Sequence, residues 1–508
     1  MALWHHEARV ASNDWLAWAS ASWNEMETTC DARVADTAAS TATHCTERLL
    51  QRLLARHASP WTEGVASIDG VRLQVEFRDL SPCLKSSLRI ATAQSVAMEV
   101  LGGTRLAMPG FGVPLVVDSP PCDDSPYCAL LPYEGVHRAA TAWIEAPAAG
   151  ATLPKLVIAD PLRHPVLKTR RAARTLALDT SAPLARAAAA SRLHRLSRLG
   201  LVRSVEVARH AGVHVLQDYD PHKRTLVMIH GLGSTPRVWL RVTNAIWGDP
   251  ELRARFQVWH VLYQTDAPTI VSRKRVQTYL EDAWQLVDPA GLDAAREGIV
   301  LIGHSLGGVV ARLLCVDSAF ALWDAGFTVP PEQVHSDPEG VRSVQEVFAF
   351  TAYPGVTRAI FLAAPHRGSP KTGTLTGNIA RVLIGRGVPE IARLRRLAID
   401  HPDAVQPALQ AIYRRGAVNS ITSLQVMQPI RKASERLLPR DGIRYHTIAG
   451  VIRHRGAART DGTVPLDSAL LEGAQSTLVI PSAHGICNEP AAIAEVQRIL
   501  REDVRSLH

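Results

Sequence analysis

One serine stands in a glycine-rich turn whose surroundings suit nucleophilic chemistry. The run 299–308 reads IVLIGHSLGG, in which Ser305 follows four apolar residues and precedes an apolar run over 308–315. The first run predicts a buried strand and the second predicts a helix. A strand that turns sharply into a helix lifts the turn residue clear of the sheet, and the helix start favours negative charge. The pattern therefore predicts Ser305 as a nucleophile, and the alternative is an ordinary serine in a glycine-rich turn.

A second glycine-rich loop could stabilise the charge that develops when a serine attacks a carbonyl. The residues HGLG at 230–233 follow an apolar run over 224–229. Glycine lets the backbone turn tightly and point N–H groups into a cleft. An oxyanion needs two preorganised donors, and we assign the backbone N–H groups of Leu232 and Leu306 to this role. We expect Gly231 and His230 to support the loop, with His230 holding it by hydrogen bonds rather than acting in catalysis.

A nucleophilic serine needs a base, and the base needs a carboxylate that fixes its tautomer. Downstream of the serine, Asp461 lies in the run TDGTVP and His484 in the run SAHG, each after a predicted strand. We favour these two residues as acid and base. A D-G pair is often only a turn, and Asp467 is the nearest competing carboxylate. The competing imidazoles are His446, which lies within a predicted strand, and His454.

A further polar loop follows the strand after the predicted nucleophile. The run AAPHRGS at 363–369 combines proline and glycine, which predicts a rigid turn beside the cleft. His366 and Arg367 could contact a substrate there, but we favour a role in bracing the loop. We assign His304, which precedes the serine, together with His366 to substrate binding or loop support.

Strands and helices alternate in the second part of the chain. Predicted strands lie at 224–229, 257–263, 299–302, 358–363, 445–451 and 477–480, and predicted helices lie at 272–287 and 489–503. This alternation implies a parallel sheet with helices on both faces. Ligands of such sheets bind at the carboxyl ends of the strands, where all the motifs above fall. Residues 370–440 interrupt the pattern with helical pieces, which predicts a lid or cap over the site.

The first 204 residues have a different pattern. Residues 1–60 are predicted to be helical, and short apolar runs broken by Gly and Pro over 65–165 predict a β-rich region. Residues 181–203 predict a basic amphipathic helix with arginines at 192, 195 and 198. We interpret it as a linker helix, and contact with a membrane surface is the alternative. The chain is thus predicted to contain an N-terminal extension, 1–204, and a second domain, 205–508.

Composition limits the classes of function. The 508 residues carry a formal net charge of +8, but the basic residues are spread along the chain, so we predict no nucleic-acid partner. Seven cysteines without a C-x-x-C spacing argue against a zinc site, although Cys122 and Cys128 could form a disulfide. We predict no metal and no cofactor.

The sequence also bears on location. It has no segment of 18 consecutive apolar residues, and its N-terminal run MALWHHEARV does not have the pattern of a signal peptide. We therefore expect a cytoplasmic protein, with peripheral membrane contact left open.

Five segments, in this order, resemble the bacterial α/β-hydrolase lipases and esterases: HGLGS, GHSLGG, AAPHRGSP, TDGTVP and SAHG. The run AAPHRGSP with a D-G-x-V-P acid loop is similar to the group of serine esterases related to the GPI inositol-deacylases. The resemblance covers about 205–503. It implies an α/β-hydrolase fold, with a mostly parallel sheet, helices on both faces, a lid-like insertion and an N-terminal α+β extension. It also implies Ser305 as nucleophile, Asp461 as acid and His484 as base, with Leu232 and Leu306 as oxyanion donors.

We therefore expect a serine hydrolase that cleaves carboxylic esters through an acyl-enzyme intermediate. The lid-like insertion favours a lipid or another hydrophobic ester, while cleavage of amides or thioesters stays open because the same three side chains catalyse acyl transfer in general. The alternative is a catalytically inactive lipid-binding or interaction protein on a hydrolase scaffold, since a fold does not fix a function.

Overall fold

The computed structural model describes residues 10–57, 60–123, 125–191, 204–334, 336–369, 389–416, 418–425, 427–452 and 459–505. The chain divides into two compact units. The first contains Met1–Ser191 and Leu216–Asp218, and the second contains Arg192–Val215 and Tyr219–His508. Each unit has its own principal sheet and its own hydrophobic core.

The first unit packs two long helices and a six-stranded sheet around two buried apolar clusters. The helices are α1 (Ser12–Thr28), α2 (Ala32–Arg56) and the shorter α3 (Ser181–Ala190). The sheet strands are β1 (Gly64–Ile68), β2 (Val71–Arg78), β3 (Arg89–Thr92), β5 (Val113–Ser119), β6 (Val136–Glu145) and β7 (Lys155–Ala159), in the order β1-β2-β7-β6-β5-β3. Two small ribbons pair β4 (Ala107–Met108) with β10 (Leu178–Asp179), and β8 (Val166–Lys168) with β9 (Ala173–Thr175). The predicted helical start and the β-rich region are confirmed.

Two further predictions concern this part of the chain. The structure contains a disulfide between Cys122 and Cys128. The basic helix predicted over 181–203 is present as α3 up to Ala190, while residues 192–203, which include the arginines at 192, 195 and 198, lie outside the described residues.

The second unit is built on a seven-stranded sheet. Its strands are β11 (Gly212–Val215), β12 (Arg224–Ile229), β13 (Phe256–Leu262), β14 (Ile299–His304), β15 (Val356–Leu362), β16 (Arg444–Gly450) and β17 (Ser476–Ile480), in the order β11-β13-β12-β14-β15-β16-β17. All neighbours are parallel except β11 and β13. Every residue of β13 and β14 is buried, as expected for strands with helices on both faces. The six predicted strands are confirmed, and β11 was not predicted.

Helices follow the strands of this sheet. They are α4 (Ser204–Arg209), α5 (Leu240–Gly248), α6 (Pro250–Arg255), α7 (Thr269–Val287), α8 (Leu306–Leu313), α9 (Ala321–Gly326), α10 (Pro338–Phe348), α11 (Pro389–Asp400), α12 (Pro407–Arg415), α13 (Ser420–Ser423), α14 (Pro429–Glu435), α15 (Leu466–Ala469) and α16 (Pro490–Arg505). The helix predicted over 308–315 begins two residues earlier than predicted, at Leu306, because the glycine pair lies inside the helix rather than in the turn. No helix in the described ranges is long and apolar enough to cross a membrane.

Six of these helices form a cap, by which we mean α9 to α14. Residues from α9 and α10, such as Trp323 and Phe348, share one buried cluster with Leu394 of α11, Tyr413 of α12 and Ile430 of α14. The cap therefore includes two helices that precede β15, which the insertion predicted at about 370–440 left out. Within that insertion, residues 370–388 lie outside the described ranges.

Candidate active site

Ser305 occupies a strained turn between β14 and α8. Its φ is 56° and its ψ is −125°, a backbone conformation that is uncommon for residues other than glycine. Its N–H donates a hydrogen bond to the carbonyl of Leu362 at 2.9 Å, and its own carbonyl accepts one from Gly308 at 2.9 Å. These bonds fix the turn to the end of β15 and to the first turn of α8. The side chain consequently stands at the carboxyl end of the sheet.

Glycines surround the turn because there is no room for side chains. A Cβ atom on Gly308 would lie 2.5 Å from the Cβ of Ala364, and one on Gly307 would collide with the carbonyl oxygen of Ile229. A Cβ on Gly303 would collide with the carbonyl of Gly307. The close approach of α8 to the ends of its neighbouring strands therefore depends on these glycines.

The three distant side chains predicted as a triad come together. The hydroxyl of Ser305 lies 2.8 Å from Nε2 of His484, and Nδ1 of His484 lies 2.7 Å from Oδ2 of Asp461. The other carboxylate oxygen of Asp461 accepts the backbone N–H groups of Thr463 at 2.8 Å and Val464 at 2.7 Å. With the proton on Nδ1, the imidazole presents Nε2 to the serine as an acceptor, which is the arrangement that general-base catalysis requires.

The electrostatics of Asp461 favour the ionised form. Burial alone would raise the pKa of the Asp461 carboxyl. The hydrogen bond and charge of His484, together with the N–H groups of Val464 and Thr463, outweigh burial and hold this pKa below its usual value. The carboxylate is therefore available to hold the ring and to stabilise an imidazolium.

The competing residues are placed elsewhere. The Oδ1 atom of Asp467 accepts the N–H of its neighbour, Ser468, at 2.9 Å. His446 is buried in β16, where Nδ1 lies 2.8 Å from the hydroxyl of Ser476, and burial lowers the pKa of His446 to about 4. His454 lies outside the described residues. Among the described competitors, none contacts Ser305.

The loop after β12 runs beside the nucleophile. A Cβ on Gly231 would lie 2.8 Å from the Cβ of Ser305, so the loop backbone approaches the serine as closely as a glycine permits. Between residues that the structure describes, no hydrogen bond uses the backbone N–H of Leu232 or of Leu306. Both N–H groups thus lack a partner among the described residues, which the predicted role of oxyanion donor requires.

Buried polar contacts hold this loop in place. Nδ1 of His230 donates to the carbonyl of Gly231 at 3.0 Å, and the carbonyl of His230 accepts the hydroxyl of Tyr263 at 2.9 Å. The N–H of Gly233 donates to the hydroxyl of Thr265 at 3.0 Å. Burial lowers the pKa of His230 to about 4, so the ring is neutral at pH 7.

His304 contacts the base from the side. Its Nε2 lies 2.8 Å from the carbonyl oxygen of His484, and the two ring centroids are 5.0 Å apart. Burial lowers the pKa of His304 to about 4, so this ring also stays neutral at pH 7 and can donate its Nε2 proton to that carbonyl. The contact fixes the backbone of His484 relative to the serine turn.

The loop after β15 is fixed to the acid-bearing segment. The backbone N–H of His366 donates to the carbonyl of Ser468 at 2.9 Å, and the His366 ring meets the ring of Phe361 edge-on, with 5.0 Å between centroids. The His366 side chain is only 1% exposed, so it is placed to brace the loop. Arg367 donates through Nη1 to the carbonyl of Asp467 at 2.8 Å.

Two supporting residues were missed in the sequence. Tyr263 and Thr265 follow β13, which pairs with β12, and both bond the loop that carries Leu232. In the sequence, both residues could have been recognised as polar side chains just after β13, the strand that pairs with β12, which leads into this loop. Within the described ranges, no group of three or more His, Cys, Asp or Glu side chains is placed to hold a metal ion.

Comparison of the chain with known proteins identifies a family to which it is similar. The model of the alpha/beta hydrolase family matches residues 226–496. No curated protein matches the chain. Among solved structures, the chain is similar to a Bacillus licheniformis lipase in its mature form, with 18% identity, 56% of this chain and 94% of that chain covered, and a TM-score of 0.32. A metagenomic carboxyl esterase is 14% identical to the chain, with 56% of this chain and 77% of that chain covered and a TM-score of 0.31. An esterase from Rhodococcus sp. is 14% identical to the chain, with 57% of this chain and 94% of that chain covered and a TM-score of 0.27.

Proposed function

Since this chain belongs to the alpha/beta hydrolase family and has its fold, we propose that it is a serine hydrolase that cleaves carboxylic esters. One observation carries the proposal. The Ser305 hydroxyl lies 2.8 Å from Nε2 of His484, whose Nδ1 lies 2.7 Å from the carboxylate of Asp461. This is the geometry of a nucleophile, a base and the group that orients the base.

The reaction proceeds in two steps through an acyl-enzyme. Ser305 Oγ attacks the ester carbonyl carbon and its proton passes to Nε2 of His484, while the N–H groups of Leu232 and Leu306 bind the oxyanion. The carbon–oxygen bond to the alcohol breaks, and His484 returns the proton to the leaving alkoxide. Water then attacks the acyl group with His484 again as base, and the acid leaves with Ser305 restored.

The preferred ester carries an apolar acyl group. The support is the buried apolar cluster of the cap, which includes Val309 and Leu313 from the nucleophile helix α8. The similarity to esterases related to the GPI inositol-deacylases is part of this proposal and rests on the runs AAPHRGSP and DGTVP. Thioesters and amides would meet the same three side chains. The ester is chosen over the amide because an alkoxide is a better leaving group than an amide anion.

A fluorophosphonate probe, which labels activated serines, tests the proposal. We expect labelling of the wild-type protein and none of Ser305→Ala, together with a loss of p-nitrophenyl acetate turnover of at least about 10³-fold. The matched control is Ser343→Ala on α10, whose hydroxyl accepts a hydrogen bond from Arg393 at 2.6 Å and which should be labelled like the wild type. A folded wild-type protein that neither reacts with the probe nor hydrolyses any ester would instead be an inactive binding protein on a hydrolase scaffold.

A further inference from the structure

We propose that the second unit binds a small monovalent anion, such as chloride, between Arg312 of the nucleophile helix α8 and His366 of the loop after β15. The site takes no part in the proposed reaction and does not depend on the proposed function. Its role is to neutralise a buried charge and to fasten the loop that braces the acid-bearing segment.

Both side chains are buried with nitrogen atoms that no protein group satisfies. Arg312 is 0% exposed and His366 is 1% exposed. Among the described residues, nothing bonds Nε and Nη2 of Arg312 or either ring nitrogen of His366, while Nη1 of Arg312 donates to the carbonyl of Leu437 at 3.3 Å. Burying a polar group without a partner is costly, most of all for a charged group. These four nitrogens therefore indicate a bound partner.

The packing of α8 on the loop after β15 brings the two side chains into one region. A Cβ on Gly308 would lie 2.5 Å from the Cβ of Ala364, so this face of α8 touches the loop two residues before His366. Arg312 lies four residues after Gly308, on the same helix face and about 6 Å farther along the axis. The charge of Arg312 acts on the imidazole, since burial and then this charge lower the pKa of His366 well below its usual value.

The charges around Arg312 leave one buried positive charge without a counter-charge. Burial lowers the pKa of Arg312 to about 10, so the guanidinium is charged at pH 7. The nearby carboxylate of Glu435 pairs with Arg431 at 2.7 Å and with Arg367 at 3.4 Å, and Arg312 forms no ion pair with any described residue. The side chain of Arg431 is 5% exposed, whereas that of Arg367 is 45% exposed and is screened by water. Two buried guanidinium groups beside one carboxylate require one further negative charge.

The unsatisfied groups suit a singly charged anion better than water. Arg312 offers N–H groups from Nε and Nη2, and the neutral ring of His366 carries a proton on one of its two nitrogens. Water could accept these hydrogen bonds but would leave the buried charge uncompensated, which is unfavourable. A divalent anion would exceed the single excess charge. Chloride has the matching charge and is small enough for an enclosed site.

The anion would fasten a loop that is bonded to the acid-bearing segment. In this loop, the hydroxyl of Ser369 donates to the carbonyl of Thr463 at 2.6 Å, and the N–H of Arg367 donates to the hydroxyl of Ser468 at 3.1 Å. The N–H of Thr463 in turn donates to the carboxylate of Asp461 at 2.8 Å. An ion that binds only the folded chain stabilises it by mass action. We therefore expect chloride to raise the stability of the protein.

Thermal unfolding of the full chain tests the site in solution. Sodium chloride is compared with sodium gluconate at equal ionic strength, because gluconate has the same charge but is too large for an enclosed site. The unfolding midpoint should rise by about 3 °C when chloride reaches about ten times its dissociation constant. This rise should disappear in Arg312→Met, which keeps an unbranched apolar side chain and removes the charge.

The matched control is Arg342→Met on α10, which removes an exposed guanidinium and should keep the full chloride effect. If Arg312→Met does not fold, His366→Phe provides a second variant. It removes both ring nitrogens, keeps an aromatic ring beside Phe361, and should reduce the chloride effect.

Crystals of the wild-type protein grown in sodium bromide locate the ion directly. We expect an anomalous-difference peak in contact with a guanidinium nitrogen of Arg312 and a ring nitrogen of His366. The absence of a peak there, or a chloride effect of full size in a folded Arg312→Met, would overturn the inference.

Discussion

Asp461 and Asp467 are six residues apart, yet their hydrogen-bond partners suit only Asp461 to orient His484. Asp461 is 2% exposed and holds Nδ1 of His484, while Asp467 accepts the N–H of the residue next to it. Asn at 461 keeps the shape but loses the charge that stabilises the imidazolium, and its amide can favour the wrong tautomer. We expect Asp461→Asn to lower kcat for p-nitrophenyl esters by about 10⁴-fold at pH 7.

The matched control is Asp467→Asn, which removes a carboxylate of the same segment. Its kcat should stay close to the wild-type value, because no contact joins its carboxylate to His484. Comparable losses in the two variants, with both proteins folded, would mean that the acid has been assigned wrongly.

At this scale, the sequence predicted the types of the reacting side chains and several supporting residues, but not the contacts through which the supports act. Serine, aspartate and histidine each stand in a short motif after a strand, and that is visible in one dimension. The bond from His304 to the carbonyl of His484 joins residues 180 positions apart, and the burial of His366 depends on packing by Phe361. Neither follows from local pattern, because each depends on elements that are distant in the chain.

The loop after β12 and the turn after β14 fit together only because Gly231 has no side chain. A Cβ at this position would lie 2.8 Å from the Cβ of Ser305 and 3.2 Å from the carbonyl oxygen of His304. Gly231→Ala should therefore push the loop and the N–H of Leu232 away from the oxyanion. We expect kcat to fall by at least about 10²-fold, the loss associated with one oxyanion donor, as measured with p-nitrophenyl acetate.

Gly485→Ala provides the comparison at the same rim. A Cβ there meets no heavy atom within 4 Å, and its φ of −75° suits alanine. This variant should retain activity close to the wild type. Full activity in Gly231→Ala would show that the loop can withdraw without affecting the oxyanion site.

Strands and helices were predicted correctly where their burial produces a strong hydrophobic pattern in the sequence. The run IVLI of β14 is buried on both faces, so its apolar character was visible in the sequence. The strand β11 was missed because Gly212–Val215 is only four residues long and pairs antiparallel at the edge of the sheet. The start of α8 was misplaced because glycines that permit close packing resemble glycines that make a turn.

The second unit as a whole buries several imidazoles in their neutral form. Burial lowers the pKa of His230 and His304 to about 4, of His260 to about 3, and of His446 to about 4. In the unfolded chain, the same side chains have pKa values of about 6.5. Each histidine thus binds a proton in the unfolded chain at a pH where it does not bind one in the folded chain.

The difference predicts a loss of stability in mild acid. Between about pH 6.5 and pH 4, the unfolded state binds more protons, so the free energy of unfolding falls as pH falls and is restored above about pH 6.5. Each such histidine costs about 1 kcal/mol at pH 5.5. We expect the thermal unfolding midpoint to be clearly lower at pH 5.5 than at pH 7.5.

His260→Gln isolates one contribution. Nε2 of His260 lies 2.9 Å from the hydroxyl of Thr243, a contact that an uncharged amide can replace, so this variant should lose less stability than the wild type between pH 7.5 and pH 5.5. His222→Gln replaces an exposed histidine and should lose as much as the wild type. Unfolding midpoints that do not change between the two pH values, or an undiminished loss in His260→Gln, would mean that these imidazoles are not held neutral by the fold.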